Sequence, residues 1–330
     1  MSTPMHSLVI PPEHDGRRLD QALAGLLPEY SRSQLKAWIL AGRVQLDGAA
    51  ATPRSRVAAG QQVALEAVAA IETATVAAQP VGFSVLYEDA ALLVVDKPAG
   101  LVVHPGAGNP DATLENGLRH HVPALAELPR SGLLHRLDKD TSGLLLVAKT
   151  PAAYARLQHD LQQHQIRREY RAIVHGVMTA GGEVDAPLGR HPVQRLRMAV
   201  VADGREAHTH YRVLARFAAH SFIALRLETG RTHQIRVHMA HIGFPVLGDP
   251  LYGGRPRPPA GADAALIDTL RGLRRQALHA AALGFEHPQS GEWLEFAAPL
   301  PAELLVVLGA LAGSPAAAAR LAALEWPQPQ

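Results

Sequence analysis

Residues 133–147 of this 330-residue chain read LLHRLDKDTSGLLLV, a charged, turn-forming run between two apolar ones. Such a run is expected to form a loop at the edge of a sheet, where functional side chains often lie. Asp138 and Asp140 are therefore candidates for chemistry. The spacing alone favours a salt-bridged turn in which Arg136 holds one carboxylate. It also permits a glycosidase-like pair, since alternate residues of an extended loop point the same way, about 6–7 Å apart.

A second polar cluster, residues 229–241, reads TGRTHQIRVHMAH and follows a predicted strand that ends near Glu228. Gly230 is expected to turn the chain, and Thr232 to cap a helix that runs to Ile242. Three histidines suggest a metal site, but this predicted helix contains no acidic residue, so packed or RNA-facing histidines are the better interpretation.

A third cluster, residues 167–174, reads RREYRAIV and is expected to begin a strand. Tyr170 stands among three arginines. It is either an ordinary strand aromatic or a phenol that acts as a base once a nearby cation lowers its pKa.

The N-terminal segment predicts a small basic module. Leu19 to Leu26 has helical spacing, and Ser31 is a candidate cap for a second helix with Leu35, Trp38 and Ile39 on one face. Short strands are expected at residues 44–46 and 63–65, with a turn at Asp47-Gly48 between them. Residues 15–65 hold seven basic side chains against four acidic ones, a surplus that could steer a phosphate backbone or simply be a solvated face.

Composition excludes several classes of protein. The chain has no cysteine, so disulfides, iron–sulfur clusters and thiolate zinc sites are excluded. No run approaches the roughly 18 apolar residues that span a bilayer, and the N-terminus does not resemble a signal peptide. We therefore expect a cytoplasmic protein with no membrane association.

Together the three clusters resemble the successive motifs of the RluA family of pseudouridine synthases. Four further stretches support the resemblance: residues 96–101 (DKPAGL), 104–110 (HPGAGNP), 248–254 (GDPLYGG) and 278–280 (LHA). The N-terminal module resembles the S4-type RNA-binding domain. The resemblance implies an α+β fold, with an S4-type domain at residues 15–78, a catalytic domain with a large mixed or antiparallel sheet at 79–312, and a C-terminal tail at 313–330.

The resemblance also implies an isomerisation of uridine to pseudouridine, in which the N1–C1′ bond breaks and C5 rejoins C1′. Asp138 matches the family's catalytic aspartate, Arg236 the arginine paired with it, and Tyr170 the tyrosine that stacks on uracil and helps remove the C5 proton. The aspartate either adds to the sugar or removes a sugar proton. No cofactor and no metal are expected. The candidate RNA-binding residues are Arg136, Arg231, His233, His238, Arg17, Arg18, Arg32, Lys36 and Arg43.

Within the family the resemblance is greatest to the member that modifies the intersubunit-bridge hairpin of large-subunit (23S) ribosomal RNA. It implies a monomer that acts on a pre-50S or 50S particle and contributes to its maturation. Three alternatives stay open: a non-catalytic ribosome-assembly factor, a family member acting on transfer RNA or another ribosomal site, and a glycoside hydrolase that uses both Asp138 and Asp140.

Overall fold

The computed structural model describes residues 5–27, 30, 32–67, 76–106, 108–194, 197–254 and 258–326, with backbone only at residues 5 and 32–34. They fall into two compact units, within residues 1–75 and 76–330. The first unit begins earlier than the predicted boundary at residue 15, because its first strand pairs with a strand inside the predicted domain.

The N-terminal unit packs two helices against a four-stranded antiparallel sheet of order β1-β4-β2-β3. Its elements are β1 (Met5–Val9), α1 (Leu19–Leu26), α2 (Arg32–Leu40), β2 (Val44–Leu46), β3 (Ala49–Ala50) and β4 (Gln62–Glu66). Leu35, Trp38 and Ile39 are buried as their spacing predicted. The predicted strands at residues 44–46 and 63–65 and the turn at Asp47-Gly48 are confirmed, and the short β3 follows that turn before the chain reaches β4. Ser31 lies outside the described residues.

The second unit is built on a nine-stranded sheet of order β5-β6-β7-β14-β8-β13-β12-β9, with β15 paired to β14 off this path. These strands are β5 (Ser84–Glu88), β6 (Leu92–Lys97), β7 (Ser142–Ala148), β8 (Arg167–His175), β9 (Gly182–Asp185), β12 (His208–Arg216), β13 (His220–Leu227), β14 (Leu278–Glu286) and β15 (Trp293–Ala297). A separate two-stranded sheet consists of β10 (Leu188–Arg190) and β11 (Met198–Val200). The helices are α3 (Leu114–His121), α4 (Pro151–Gln162), α5 (Gln234–His241), α6 (Ala264–Gly272), α7 (Ala302–Ala312) and α8 (Pro315–Ala322).

Strand β7 begins inside the 133–147 stretch and ends one residue after it, and all seven of its residues are buried. A strand buried on both faces reads as a continuous apolar run, which is why residues 144–147 predicted it. β7 pairs antiparallel with β6 and parallel with β14, so the sheet is mixed, as expected. Gly143 has φ 113°, and a Cβ there would lie 2.2 Å from the carbonyl oxygen of Ala280. The close approach of β7 to β14 therefore requires glycine at this position.

The C-terminal tail predicted at residues 313–330 contains helix α8 and packs onto the second unit as far as Trp326. Helix α8 packs against the core through Ala318, and an Arg171 guanidinium N–H donates to the carbonyl of Leu324 at 2.9 Å. The Trp326 ring lies 4.2 Å from the Arg226 guanidinium carbon. Residues 313–326 are thus part of the second unit.

No single helix in the described residues is long and apolar enough to cross a membrane. Helices α7 and α8 reach that length and hydropathy only together, and they are bent by 115° at the break between them.

Candidate active site

Three side chains, those of Lys97, Arg275 and Gln276, hydrogen-bond to the loop before β7 and so set the position of Asp138. Lys97 is fully buried, and its Nζ donates to the carbonyls of Pro98, Leu101 and Lys139 at 2.8–2.9 Å. An Arg275 N–H donates to the Asp140 carbonyl at 3.0 Å, and the Gln276 amide donates to the Thr141 hydroxyl at 3.0 Å. Burial lowers the pKa of Lys97 to about 8, although the nearby carboxylates of Asp140 and Asp138 oppose the shift.

Asp138, Arg236 and Asp249 form a continuous chain of charge-assisted hydrogen bonds. Arg236 Nη1 donates to Asp138 Oδ2 at 3.0 Å, while its Nε and Nη2 bind both oxygens of Asp249 at 2.7 and 2.9 Å. The side chain of Asp249 has no exposed surface, whereas that of Asp138 is 17% exposed. Burial alone would lower the pKa of Arg236, but the two carboxylates raise it above its ordinary value. Arg236 is therefore a permanent cation, and its charge stabilises the partly exposed carboxylate of Asp138.

Helix α5 carries Arg236 on its first turn and begins differently from the prediction. The residue before the helix is His233, in the left-handed conformation at φ 57°, and not Thr232. The Gln234 side chain instead orders the turn, since its Oε1 accepts from the backbone N–H of Arg231 and from the Thr229 hydroxyl. His233 Nε2 lies 3.9 Å from Asp138 Oδ1, and its Nδ1 lies 2.9 Å from the Tyr252 hydroxyl.

Tyr170 lies on β8, two strands from β7, in register with Ala280 of β14. It is 5% exposed. Burial raises its pKa; the Arg168 cation works in the opposite direction, and the negative charge of Asp138 adds to the rise. The idea that a neighbouring arginine makes this phenol a base by lowering its pKa is therefore wrong, because the cost of burying a phenolate exceeds the benefit of the cation.

The predicted RNA-binding residues of the second unit divide into three groups. Arg136 is exposed beside Asp138, and His233 faces Asp138 as described. Arg231 is half-buried, and its Nε donates to the Glu206 carbonyl at 2.8 Å. His238 was wrongly predicted to contact RNA. It is fully buried, and its ring nitrogens lie 2.9 Å from the Thr209 hydroxyl and 3.0 Å from the Ala186 carbonyl oxygen. These internal partners make it a packing residue.

The N-terminal candidates differ in how far they are free to bind an anion. Arg17 and Lys36 are exposed. Arg18 is paired with Asp20 at 3.0 Å, and Arg43 with Glu66 at 3.3 Å. The side chain of Arg32 lies outside the described residues.

Two residues central to the site were missed by the sequence analysis. Asp249 and Lys97 both lie in stretches that supported the resemblance, but neither was given a role. Asp249 lies between Gly248 and Pro250. Its Oδ1 accepts hydrogen bonds from the backbone N–H groups of Leu251 and Tyr252 at 2.8 and 3.1 Å. An acidic residue that opens a turn beside a proline is a detectable signal for such a role.

A buried arginine that joins a partly exposed carboxylate to a buried one, in front of an interior strand of a mixed sheet, is typical of an enzyme active site. Residues 91–241 match the RNA pseudouridylate synthase family, and residues 17–63 match the S4 domain. The chain belongs to the RNA pseudouridylate synthase family and is an isomerase that converts uridine to pseudouridine. The predicted resemblance to the RluA family is confirmed.

Individual relatives agree with this assignment. The chain is 51% identical to ribosomal large subunit pseudouridine synthase D of Xanthomonas campestris pv. campestris, over 98% of this chain and 97% of that protein. It is 53% identical to the Pseudomonas aeruginosa protein of the same name, over 92% and 94% of the two chains. The solved structure of human RNA pseudouridylate synthase domain containing 4 matches with a TM-score of 0.54 and 26% identity, covering 69% of this chain and 92% of that one.

Proposed function

We propose that this enzyme isomerises specific uridines of large-subunit (23S) ribosomal RNA, and that Asp138 is its catalytic carboxylate. The chain of bonds from Asp249 through Arg236 to Asp138 is the observation that carries the assignment of Asp138. The substrate class is supported by the names of the relatives that match nearly the whole chain. The resemblance alone supports four further parts of the proposal: the bridge hairpin as target, a pre-50S or 50S particle as substrate, a monomeric enzyme and a role in subunit maturation. The composition supports a fifth, a cytoplasmic location.

Asp138 presents two unequal oxygens. Oδ2 accepts from Arg236, while Oδ1 lies 3.9 Å from His233 Nε2. Whether the carboxylate adds to C1′ of the sugar or removes a sugar proton, the step requires one unprotonated oxygen that can reach the ribose. We assign that role to Oδ1. Arg236 then stabilises the negative charge through Oδ2 without occupying the reactive atom.

The uridine must leave its stack before the sugar can reach Asp138, which costs a few kcal/mol. Arg136 is exposed and precedes Asp138 by two residues in the same loop, and we propose that it fills the vacated space. Relative to the wild type, Arg136→Ala should reduce the binding and turnover of a structured RNA more than those of a short unstructured oligonucleotide. Equal effects on both substrates would remove Arg136 from this role.

Tyr170 is proposed to stack on the uracil as a neutral phenol, because burial raises its pKa. In the final step its oxygen would accept the C5 proton while its own hydroxyl proton passes to water. Tyr170→Phe keeps the ring and removes the hydroxyl, so turnover should fall by about 10²-fold, a usual size for proton transfer, with little change in RNA affinity. The rate should not rise towards pH 10. A rate that increases with the fraction of phenolate would contradict this role.

The direct test of the function is site-by-site pseudouridine mapping of ribosomal RNA from cells that lack the gene. Complementation with the wild-type gene should restore the lost sites in the large-subunit RNA, and the Asp138→Asn gene should not, although its protein accumulates equally. Full pseudouridine content in the Asp138→Asn strain would show that Asp138 is not the catalytic carboxylate. Lost sites only in transfer RNA would refute the substrate.

A further inference from the structure

Two histidines and two glutamates form a cluster on the sheet of the second unit, outside the catalytic site. His208 and His210 alternate with Thr209 on β12, so both rings project from one face of the strand. Glu183 of β9 lies directly opposite His210 in the sheet. Glu228, the residue after β13, completes the cluster.

Glu228 lies within hydrogen-bond distance of one nitrogen of each ring. Its Oε2 is 3.0 Å from His208 Nδ1, and its Oε1 is 2.6 Å from His210 Nε2. When these nitrogens carry the protons, the remaining nitrogens, His208 Nε2 and His210 Nδ1, have free lone pairs. Both point towards the carboxylate of Glu183.

The inner three atoms have the spacing of a metal-ligand set. Glu183 Oε2 lies 3.4 Å from His208 Nε2 and 3.6 Å from His210 Nδ1, and the ligand atoms of the three residues lie within 4.8 Å of one another. Ligands about 2.0–2.1 Å from a tetrahedral zinc ion lie roughly 3.4 Å apart, so the distances nearly match. His208 Nε2 is buried and has no hydrogen-bond partner in the described part of the chain, despite its closeness to Glu183.

We propose that His208, His210 and Glu183 bind a zinc ion, with Glu228 as the carboxylate that orients both histidines. Two imidazoles and one carboxylate suit zinc and leave a fourth position for water. A histidine that binds a metal usually donates its other ring N–H to a carboxylate, and here one carboxylate serves both rings. The side chain of Glu183 is 62% exposed, so it can move to close the site.

The bound ion would hold together three strands, one of which, β13, is followed by the turn before α5. It would join β9 to β12, and through Glu228 to the end of β13. The backbone N–H of His208 donates to the Thr229 hydroxyl at 3.0 Å, and the Gln234 amide donates to the His208 carbonyl at 2.9 Å. The site is therefore continuous with the turn that precedes α5. Its role is structural, and the isomerisation does not need it.

The test uses the full-length chain, stripped of metal with a chelator and then titrated with Zn²⁺ and, separately, with Co²⁺. One tight zinc site per chain is expected, and Co²⁺ bound there should give the intense visible bands of a four-coordinate ion. Glu228→Gln should weaken zinc binding by about 10–100-fold, the usual effect of removing an orienting carboxylate. Glu183→Gln and His210→Gln each remove a ligand and should abolish the cobalt bands.

The matched control is Glu127→Gln, which removes an equally charged, exposed carboxylate outside the cluster and should leave zinc affinity unchanged. Zinc should also raise the thermal unfolding midpoint of the wild type and of Glu127→Gln, but not of Glu183→Gln or His210→Gln. The proposal is overturned if all five proteins bind zinc with the same affinity, or if cobalt shows only the weak bands of a six-coordinate ion. The cluster would then be an ion-pair network only.

Discussion

The charges around Asp138 and the exposed basic side chains of the N-terminal unit are arranged in opposite ways. Arg236, Asp249 and Lys97 are buried, and each is held by several partners at fixed distances. In the N-terminal unit, Arg17 and Lys36 are exposed. The pair between Arg43 and Glu66 is also solvent-accessible, with side chains 35% and 42% exposed.

The difference indicates what each region can do. A buried charge is expensive to leave unpaired, so removing one partner from the charges around Asp138 changes both geometry and stability. An exposed charge is screened by salt and contributes little to folding, but it attracts a phosphate backbone over several ångströms. The following experiments test this comparison, beginning with the largest expected effect.

Arg236→Ala should have large effects on both rate and stability. It removes the cation that binds both Asp138 and the buried carboxylate of Asp249, which costs about 3–5 kcal/mol of unfolding free energy. Turnover should fall by at least ~10²-fold, measured by single-turnover pseudouridine formation. The control is Arg43→Ala, which breaks the exposed pair with Glu66 and should cost less than about 1 kcal/mol in urea denaturation. Equal stability losses would contradict the comparison.

Lys97→Met should change how stability depends on pH. The folded pKa of Lys97 is about 8, below its ordinary value of 10.5, so the unfolded state binds more protons between these values. The stability of the wild type relative to Lys97→Met should therefore rise between pH 8 and 10.5, by at most ~3 kcal/mol. Urea denaturation at each pH measures it. The control is Lys36→Met, which removes an exposed lysine. If the stability of the wild type relative to Lys36→Met rose equally between pH 8 and 10.5, burial of Lys97 would not be the cause.

Arg17→Ala and Lys36→Ala should have the smallest effects, confined to binding. Each should weaken RNA binding severalfold at low salt, reduce the salt slope of log affinity by about 1, and leave the single-turnover rate at saturating enzyme unchanged. Arg271→Ala, an exposed arginine of α6, is the control and should not alter the slope. A lower saturating rate with unchanged affinity would contradict the role of the N-terminal unit in binding the phosphate backbone.

Much of the fold was predictable because buried segments leave direct patterns in the sequence. The apolar runs at residues 92–95 and 144–147 became β6 and β7, and the helical spacing of residues 19–26 became α1. The pairing of Asp138 with Arg236 was predicted only through the family resemblance, since 98 positions separate the two residues.

What could not be predicted depends on contacts between distant segments. His238 was misassigned because α5 is buried on all sides from Gln234 to Met239. In such a helix the spacing of polar residues does not show which side chains reach the solvent. The His208-Thr209-His210 alternation is visible in the sequence, but Glu183 and Glu228 join it only through strand pairing. Likewise, burial around Tyr170 outweighs the charge of Arg168, and no local pattern gives that balance.

The central claim is that Asp138 is the single catalytic carboxylate and that Asp140 supports the turn through its backbone carbonyl. The most direct measurement compares Asp138→Asn with Asp140→Asn in single-turnover pseudouridine formation on large-subunit ribosomal RNA. Asp138→Asn keeps an oxygen for Arg236 and should still lose at least ~10³-fold in rate, while Asp140→Asn should lose less than about tenfold. Equally severe losses would indicate a carboxylate pair, and an active Asp138→Asn enzyme would refute the claim outright.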